Sequence, residues 1–230
     1  QHIPRAYLLE KIAMNTELAR FNMVEQQIRP WNVLDHAVLE QLSFLDRSLF
    51  VPSAFEELAY SDTELPLEHG ECMLAPRVDA RLLQDLKLQT HENVLEIGTG
   101  SGYLTALLAM SCAHVTSLEC HAGFIASAQQ RLSHCGIRNV ELVHSEGIPA
   151  LSTVQTYDAI LLGGSVACVP VALLAMLKPG GRLLGVIGEE PVMCATLVVR
   201  QADGQGHSQS LWDVVIPRLH GFAEKTAFHF

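Results

Sequence analysis

From about residue 77 onward, short apolar runs alternate with longer amphipathic stretches. Val94, Leu95 and Ile97 form one such run, and Val115 to Leu118, Val140 to Val143, Tyr157 to Leu162 and Arg182 to Ile187 repeat the pattern. Near-continuous apolar runs of this length, punctuated by glycine and polar turns, read as strands buried on both faces. Between them, Val78, Leu82, Leu83 and Leu86, then Leu104, Leu107, Leu108 and Met110, then Phe124, Ala128 and Leu132 recur at helical spacing. A shorter helix is expected from Pro170 to Leu177, closed by Lys178-Pro-Gly-Gly181, and Gly136 marks the end of the helix before it. Strand and helix alternating through short loops predict an α/β fold with a doubly wound, mostly parallel sheet. The last part differs: Val192 to Arg200 and Leu211 to Ile216 flank a polar turn, Ala202 to Ser208. That turn is too short for a crossover helix, so the two strands are expected to pair antiparallel.

The N-terminal part is helical and less regular. Arg5 to Ala13 and Arg20 to Arg29 have helical character, and the Arg29-Pro30 step ends or bends the second run. Asp35 reads as the N-cap of a helix with Val38, Leu39, Leu42 and Leu45 on one face. From 49 to 76 periodicity fades, with Pro52, Pro66, Gly70 and Pro76 as punctuation. A connection of that length marks either mobility or function. The expected organisation is N-terminal helices and an acceptor-side loop over 1–75, a binding domain over 76–220, and a tail at 221–230, with the residues after Pro217 weakly specified. Met14 is a candidate start, since the sequence opens on Gln1.

Composition narrows the class. With 49% apolar residues among 230, the chain can bury a full core. Fifteen basic against 25 acidic residues give a net charge of -10, which argues against broad nucleic-acid binding. No apolar run approaches the ~20 residues that span a bilayer, and no secretory leader pattern opens the chain, so the expectation is a cytoplasmic protein without membrane contact. Cysteines 72, 112, 120, 135, 168 and 194 form no CxxC pair and read as reduced residues, with Cys112, Cys120 and Cys194 as small core side chains. Histidines 114, 121, 134 and 144 make neither HxxxH nor HxH, and no metal site is expected.

The chemistry concentrates in the strand exit from Glu96 through Gly98, Thr99, Gly100, Ser101 and Gly102 to Tyr103. A strand, a glycine turn and a helix in that order open a nucleotide-type binding unit. The spacing is GxGxG, and Tyr103 occupies the place of a dinucleotide fingerprint's third glycine. A ligand with a single carboxylate, such as the amino-acid end of S-adenosylmethionine, fits such a turn better than a pyrophosphate. Glu119 ends the next strand, where a carboxylate accepts hydrogen bonds from ribose hydroxyls.

Several motifs in order resemble the S-adenosylmethionine-dependent protein-L-isoaspartate (D-aspartate) O-methyltransferases. They are Leu49-Phe-Val-Pro52 with Ala59-Tyr60, Asp62 and Leu65-Pro-Leu67, then Val94 to Tyr103, then Leu177-Lys-Pro-Gly-Gly-Arg182, and the closing Val-Ile-Pro217. The resemblance implies methylation of the isoaspartyl carboxylate in damaged protein or peptide. It also implies that Glu119 holds the ribose hydroxyls, that the backbone at Gly98, Gly100 and Gly102 faces the methionine part, that Glu146 with Ile148 borders the adenine, that Cys120 and Gly147 belong to the cofactor-binding set, and that Asp62, Cys72, Leu74 and Ala75 shape the acceptor side. The chain departs from the family pattern once. Where members carry Thr-Ile-Ser-x-Pro, this sequence has Cys72-Met73-Leu74-Ala75-Pro76, and leucine cannot hydrogen-bond a carboxylate. Either other donors take over, the main chain near Leu74 and Ala75 or Ser165, or the acceptor is a different small molecule. A third reading is a non-catalytic S-adenosylmethionine-binding protein. Cys72 reads as structural rather than nucleophilic, and His69 and Arg77 lie near the entrance. Nothing in the sequence fixes an oligomeric state.

Overall fold

The computed structural model describes residues 15–145 and 156–222. Helix α1 (15–22) continues into a wider π-type stretch, Met23–Ile28, and a 3-10 turn, Arg29–Trp31. Pro30 sits in that last turn, and the run stops at Asn32 in a left-handed conformation, φ 63°. Helix α2 (His36–Phe44) starts at the expected cap, where the Asp35 side chain accepts from the N–H groups of Ala37 and Val38. Its Val38, Leu39 and Leu42 are buried.

The aperiodic stretch that follows is ordered locally rather than by an apolar face. It holds the 3-10 turns Arg47–Phe50 and Ser53–Leu58 and a small antiparallel hairpin, β1 (Leu65–Pro66) and β2 (Cys72–Met73), whose loop Glu68–Gly70 has His69 at φ 60°. Pro76 opens α3 (Pro76–Leu86), where φ is already set for a helix. Elements α4 (Tyr103–Ala109), α5 (Ala122–His134) and α6 (Val171–Ala175) alternate with β3 (Asn93–Ile97), β4 (His114–Glu119), β5 (Val140–His144), β6 (Tyr157–Val166) and β7 (Leu177–Glu189). β8 (Val192–Arg200) and β9 (Gly206–Asp213) complete a seven-stranded sheet in the order β5-β4-β3-β6-β7-β8-β9. The first five run parallel, with Val94 opposite Val115 and Ala159, and the last two antiparallel. The doubly wound sheet with an antiparallel end is the fold the apolar pattern predicts.

Three boundaries differ from the sequence expectation. β6 runs on past Leu162 through Gly163 and Gly164 to Val166, because side-chain-free residues are what let it pass the β3 exit: a Cβ on Gly163 would lie 2.8 Å from the Gly98 carbonyl oxygen. α6 stops at Ala175, and Leu177 already belongs to β7, whose pairing with β6 jumps from Tyr157–Leu177 to Ala159–Arg182. Lys178 to Gly181 is thus a bulge within a strand, with Lys178 held 2.8 Å from Asp158. β9 begins at Gly206 and ends at Asp213, not Leu211 to Ile216. Its first half is all polar and exposed, so pairing with β8 rather than burial makes it a strand.

One apolar cluster joins Met23, Ile28, Leu42 and Phe50 to Leu82 and Leu86 of α3, Leu107 of α4 and Val94 of β3. The N-terminal segment therefore shares the core of the α/β unit. Among the described residues, no helix is long and apolar enough to cross a membrane.

Candidate functional site

The glycine turn after β3 is tied to the end of β4. Gly98, Gly100 and Gly102 all have positive φ, and a Cβ on Gly102 would come within 3.0 Å of the Ala128 Cβ on α5. Gly98 and Thr99 donate to the Leu118 carbonyl, and Gly102 donates to the Thr99 carbonyl. Glu119 completes the tie: its Oε2 accepts from Gly100 N–H at 2.8 Å and its Oε1 from His121 N–H at 2.9 Å. Oε1 also accepts from the Cys120 thiol at 3.5 Å, while Oε2 keeps a second lone-pair direction, so the carboxylate is oriented without being saturated.

Above this turn lies a cleft of 510 Å³. Its floor is Ile97, Gly98, Gly100, Leu118, Glu119 and Gly163; the β1–β2 hairpin supplies Leu67, His69, Glu71 and Cys72; α5 and its lead-in supply His121 and Phe124. The remaining wall is Leu219, His220, Gly221 and Phe222. These last residues are held by Ser165, whose N–H donates to the Pro217 carbonyl at 2.8 Å and whose carbonyl accepts from Leu219 N–H at 2.9 Å. A wider groove of 660 Å³ lies between the π-type stretch and α2, away from every strand end. Ligands of open parallel sheets bind outside the carboxyl ends of the strands, so the smaller cleft is the candidate site.

The structure brings Gly98, Gly100, Glu119, Cys120 and Cys72 to this cleft. The other loop residues support it from below. Glu96 is fully buried, accepting from Thr105 and Ser117 hydroxyls at 2.6 Å each. Burial pushes its carboxyl up to about 8 against those hydrogen bonds. Thr99 hydrogen-bonds Ser117, and Tyr103 packs edge-on against Phe50 beneath the Arg47 guanidinium. Ser101 faces a neighbouring 340 Å³ hollow that shares Leu67 and Phe124 with the cleft. Glu146, Gly147 and Ile148 lie outside the described residues.

The acceptor-side expectations need correction in placement. Leu74 and Ala75 do not line the cleft; both side chains are buried in the main core. The Leu74 carbonyl accepts from Arg47, which also pairs with buried Asp79 at 3.0 Å. Asp62 is taken by Arg77, which stacks on Trp31, so neither stands at the entrance. Ser165 donates its hydroxyl to the carbonyls of Ile216 and Pro217 and is committed to holding the C-terminal wall. Cys72 is no nucleophile: burial, then Glu64 and Glu71, push its thiol up to about 12, and burial with Glu119 pushes Cys120 to about 11. Glu119, Cys120 and His121 bring one potential metal-ligand atom each within 4.8 Å of one another, with the Cys120 thiol held in its protonated form by burial and Glu119.

The sequence reading missed the C-terminal wall and the histidines that converge on Glu71. His220 Nε2 is 2.7 Å and His121 Nε2 3.5 Å from Glu71 Oε1. The His69 and His121 rings are stacked with centroids 4.3 Å apart, and Phe124 meets both edge-on. No spacing rule joins positions 69, 121 and 220; the only signal was that His69 lies in a long loop and His121 follows Glu119.

Comparison with known proteins places the chain. The family model described as Protein-L-isoaspartate(D-aspartate) O-methyltransferase (PCMT) matches residues 19–218. Protein-L-isoaspartate O-methyltransferases of Synechococcus sp. and Herpetosiphon aurantiacus are each 37% identical to it, over 91% of this chain and 82% of the relative, and over 74% and 76%. That of Myxococcus xanthus is 40% identical over 68% of this chain and 74% of its own. A Plasmodium falciparum protein solved in complex with S-adenosyl-L-homocysteine has the same fold, with TM-score 0.72 at 21% identity over 89% of this chain and 97% of its own. By the family model over residues 19–218 and relatives of this identity, the chain belongs to the protein-L-isoaspartate (D-aspartate) O-methyltransferase family.

Proposed function

We propose that the protein is an S-adenosylmethionine-dependent O-methyltransferase acting on the isoaspartyl carboxylate of damaged protein or peptide. The observation that carries this reading is Glu119: it is 5% exposed, lines the cleft and is aimed by two backbone N–H groups beside two glycines that leave the floor open. The residues fit the cofactor. Gly98 and Gly100 present no side chain, Glu119 has lone pairs left for ribose hydroxyls, and Leu118, Ile97 and Phe124 offer apolar surface. The described lining residues include the carboxylates Glu71 and Glu119 and no lysine or arginine, a charge balance that favours a sulfonium cation.

S-adenosylmethionine held by the Gly98–Gly100 turn and Glu119 would supply an electrophilic methyl group for the acceptor oxygen. No general base is required, because a carboxylate is already ionised near neutral pH. The chain's task is alignment and exclusion of water. The Glu119 tie fixes the cofactor end, and residues 217–222 with the β1–β2 hairpin close the acceptor end. The six free cysteines accord with a reducing, cytoplasmic setting.

Incubation with labelled cofactor and matched isoaspartyl and aspartyl peptides tests the reading. Label is expected only on the isoaspartyl peptide and in a base-labile ester. Tight binding of S-adenosylhomocysteine with no label on that peptide would point to a small-molecule acceptor instead.

A further inference from the structure

The cleft poses an electrostatic problem. It is built for a cation, yet the acceptor is an anion, and the family's acceptor-loop serine is here Leu74, whose side chain is buried in the core. Among the described lining residues, the side chains that can become positive are His69, His121 and His220. They come from three separate segments: His121 and His220 meet at Glu71, and His69 stacks on His121. His121 Nε2 is buried and, at 3.5 Å from Glu71 Oε1, has no well-formed hydrogen bond. Such an atom is costly to leave so and marks a place where another polar group is wanted.

We propose that this histidine cluster is the acceptor-carboxylate site, with His220 the principal donor and Glu71 its resting partner. The inference rests on the methyltransferase reading above. In the resting protein His220 is held 2.7 Å from Glu71. The incoming carboxylate takes that hydrogen bond, and His69 and His121 supply further positive charge. Transfer turns the acceptor into an uncharged ester, which the histidines no longer hold, so product leaves without a separate opening step. The groups facing the cluster are Glu71, Glu119, Cys72 and Cys120, with Glu64 behind Cys72, and His144 hydrogen-bonded to the Cys120 carbonyl. The thiols stay protonated, so only carboxylates and imidazoles set the charge. Positive charge on the imidazoles offsets Glu71 and Glu119; without it those carboxylates face the anion.

The test is steady-state kinetics at saturating cofactor between about pH 5.5 and 7.5, the range in which imidazole ordinarily changes charge. The peptide carboxylate stays ionised throughout. The KM for isoaspartyl peptide is expected to rise about tenfold across the range while kcat changes little, the effect of one charge-assisted hydrogen bond. His220→Asn is expected to give a high KM that no longer varies with pH. Glu71→Gln is expected to lower KM at pH 7.5, an improvement that mere structural damage cannot produce. A flat wild-type KM, a His220→Asn variant that keeps the slope, or a Glu71→Gln variant that binds peptide worse would overturn the proposal. Absence of any peptide methylation in the wild type would instead overturn the methyltransferase reading itself.

Discussion

Two side chains show how much hangs on orientation at a single position. Leu74 stands where the family's loop has a serine, and from the sequence a serine put back there is expected to restore acceptor binding. The structure reverses that expectation, because the leucine is 7% exposed and packed in the core while its carbonyl answers Arg47. Leu74→Ser is therefore expected to lower stability by about 3 kcal/mol, from lost burial and an added hydroxyl. It should leave the KM for isoaspartyl peptide unimproved; urea unfolding and peptide kinetics check the two halves. Glu119 is the opposite case, with a side chain whose place at a strand end was legible in the sequence. Glu119→Ala removes the acceptor for Gly100 and His121 N–H groups as well as the proposed ribose contact. Affinity for S-adenosylhomocysteine is expected to fall roughly 10- to 100-fold by calorimetry.

At the scale of elements, the site depends on how closely β6 passes the β3 exit. Gly163 and Gly164 look like loop residues in the sequence, because glycine pairs usually end strands. They are strand residues because the crossing leaves no room: beyond the Gly98 contact, a Cβ on Gly164 would be 3.0 Å from the Pro217 carbonyl oxygen. Backbone cannot give way as a flexible side chain can. Gly163→Ala is expected to cost about 1–3 kcal/mol and to weaken cofactor binding by displacing Gly98. Denaturant midpoints together with calorimetry would show both; an unchanged cofactor affinity would mean that β6 moves instead. The same scale explains β9: its polar residues carry no apolar alternation, and only the hydrogen bonds offered by β8 reveal it as a strand.

For the whole molecule, burial of ionisable groups sets the response to pH. Burial raises the Glu96 carboxyl from 4.5 to about 8 and Asp79 from 3.8 to about 7, with Arg47 opposing the second shift. A carboxyl raised by folding stabilises the fold fully below its unfolded value and loses that contribution as pH climbs to the folded one. Stability is thus expected to fall between about pH 5 and 8, and Glu96→Gln, which stays neutral, should flatten the fall in Tm across that range. Arg47 is fully buried and joins α3, the acceptor loop and the Tyr103 ring. Arg47→Met would leave the buried Asp79 carboxyl without its partner and is expected to destabilise by about 3–5 kcal/mol, measurable by urea unfolding above about pH 8, where the carboxyl has to ionise or stay protonated at a cost.

What the sequence determined by itself was local and periodic: buried strands, their helices, the Asp35 cap, the GxGxG turn and the acid at the end of β4. Each is written in neighbouring residues, since a helix face, a cap or a turn needs only its own few positions. The tertiary structure alone decided which way Leu74 turns, which glycines a crossing strand required, and that His121, stacked on His69, meets His220 at Glu71. Those outcomes join residues up to 151 positions apart, and no local periodicity records a contact made only when a C-terminal segment folds back across the ends of the strands.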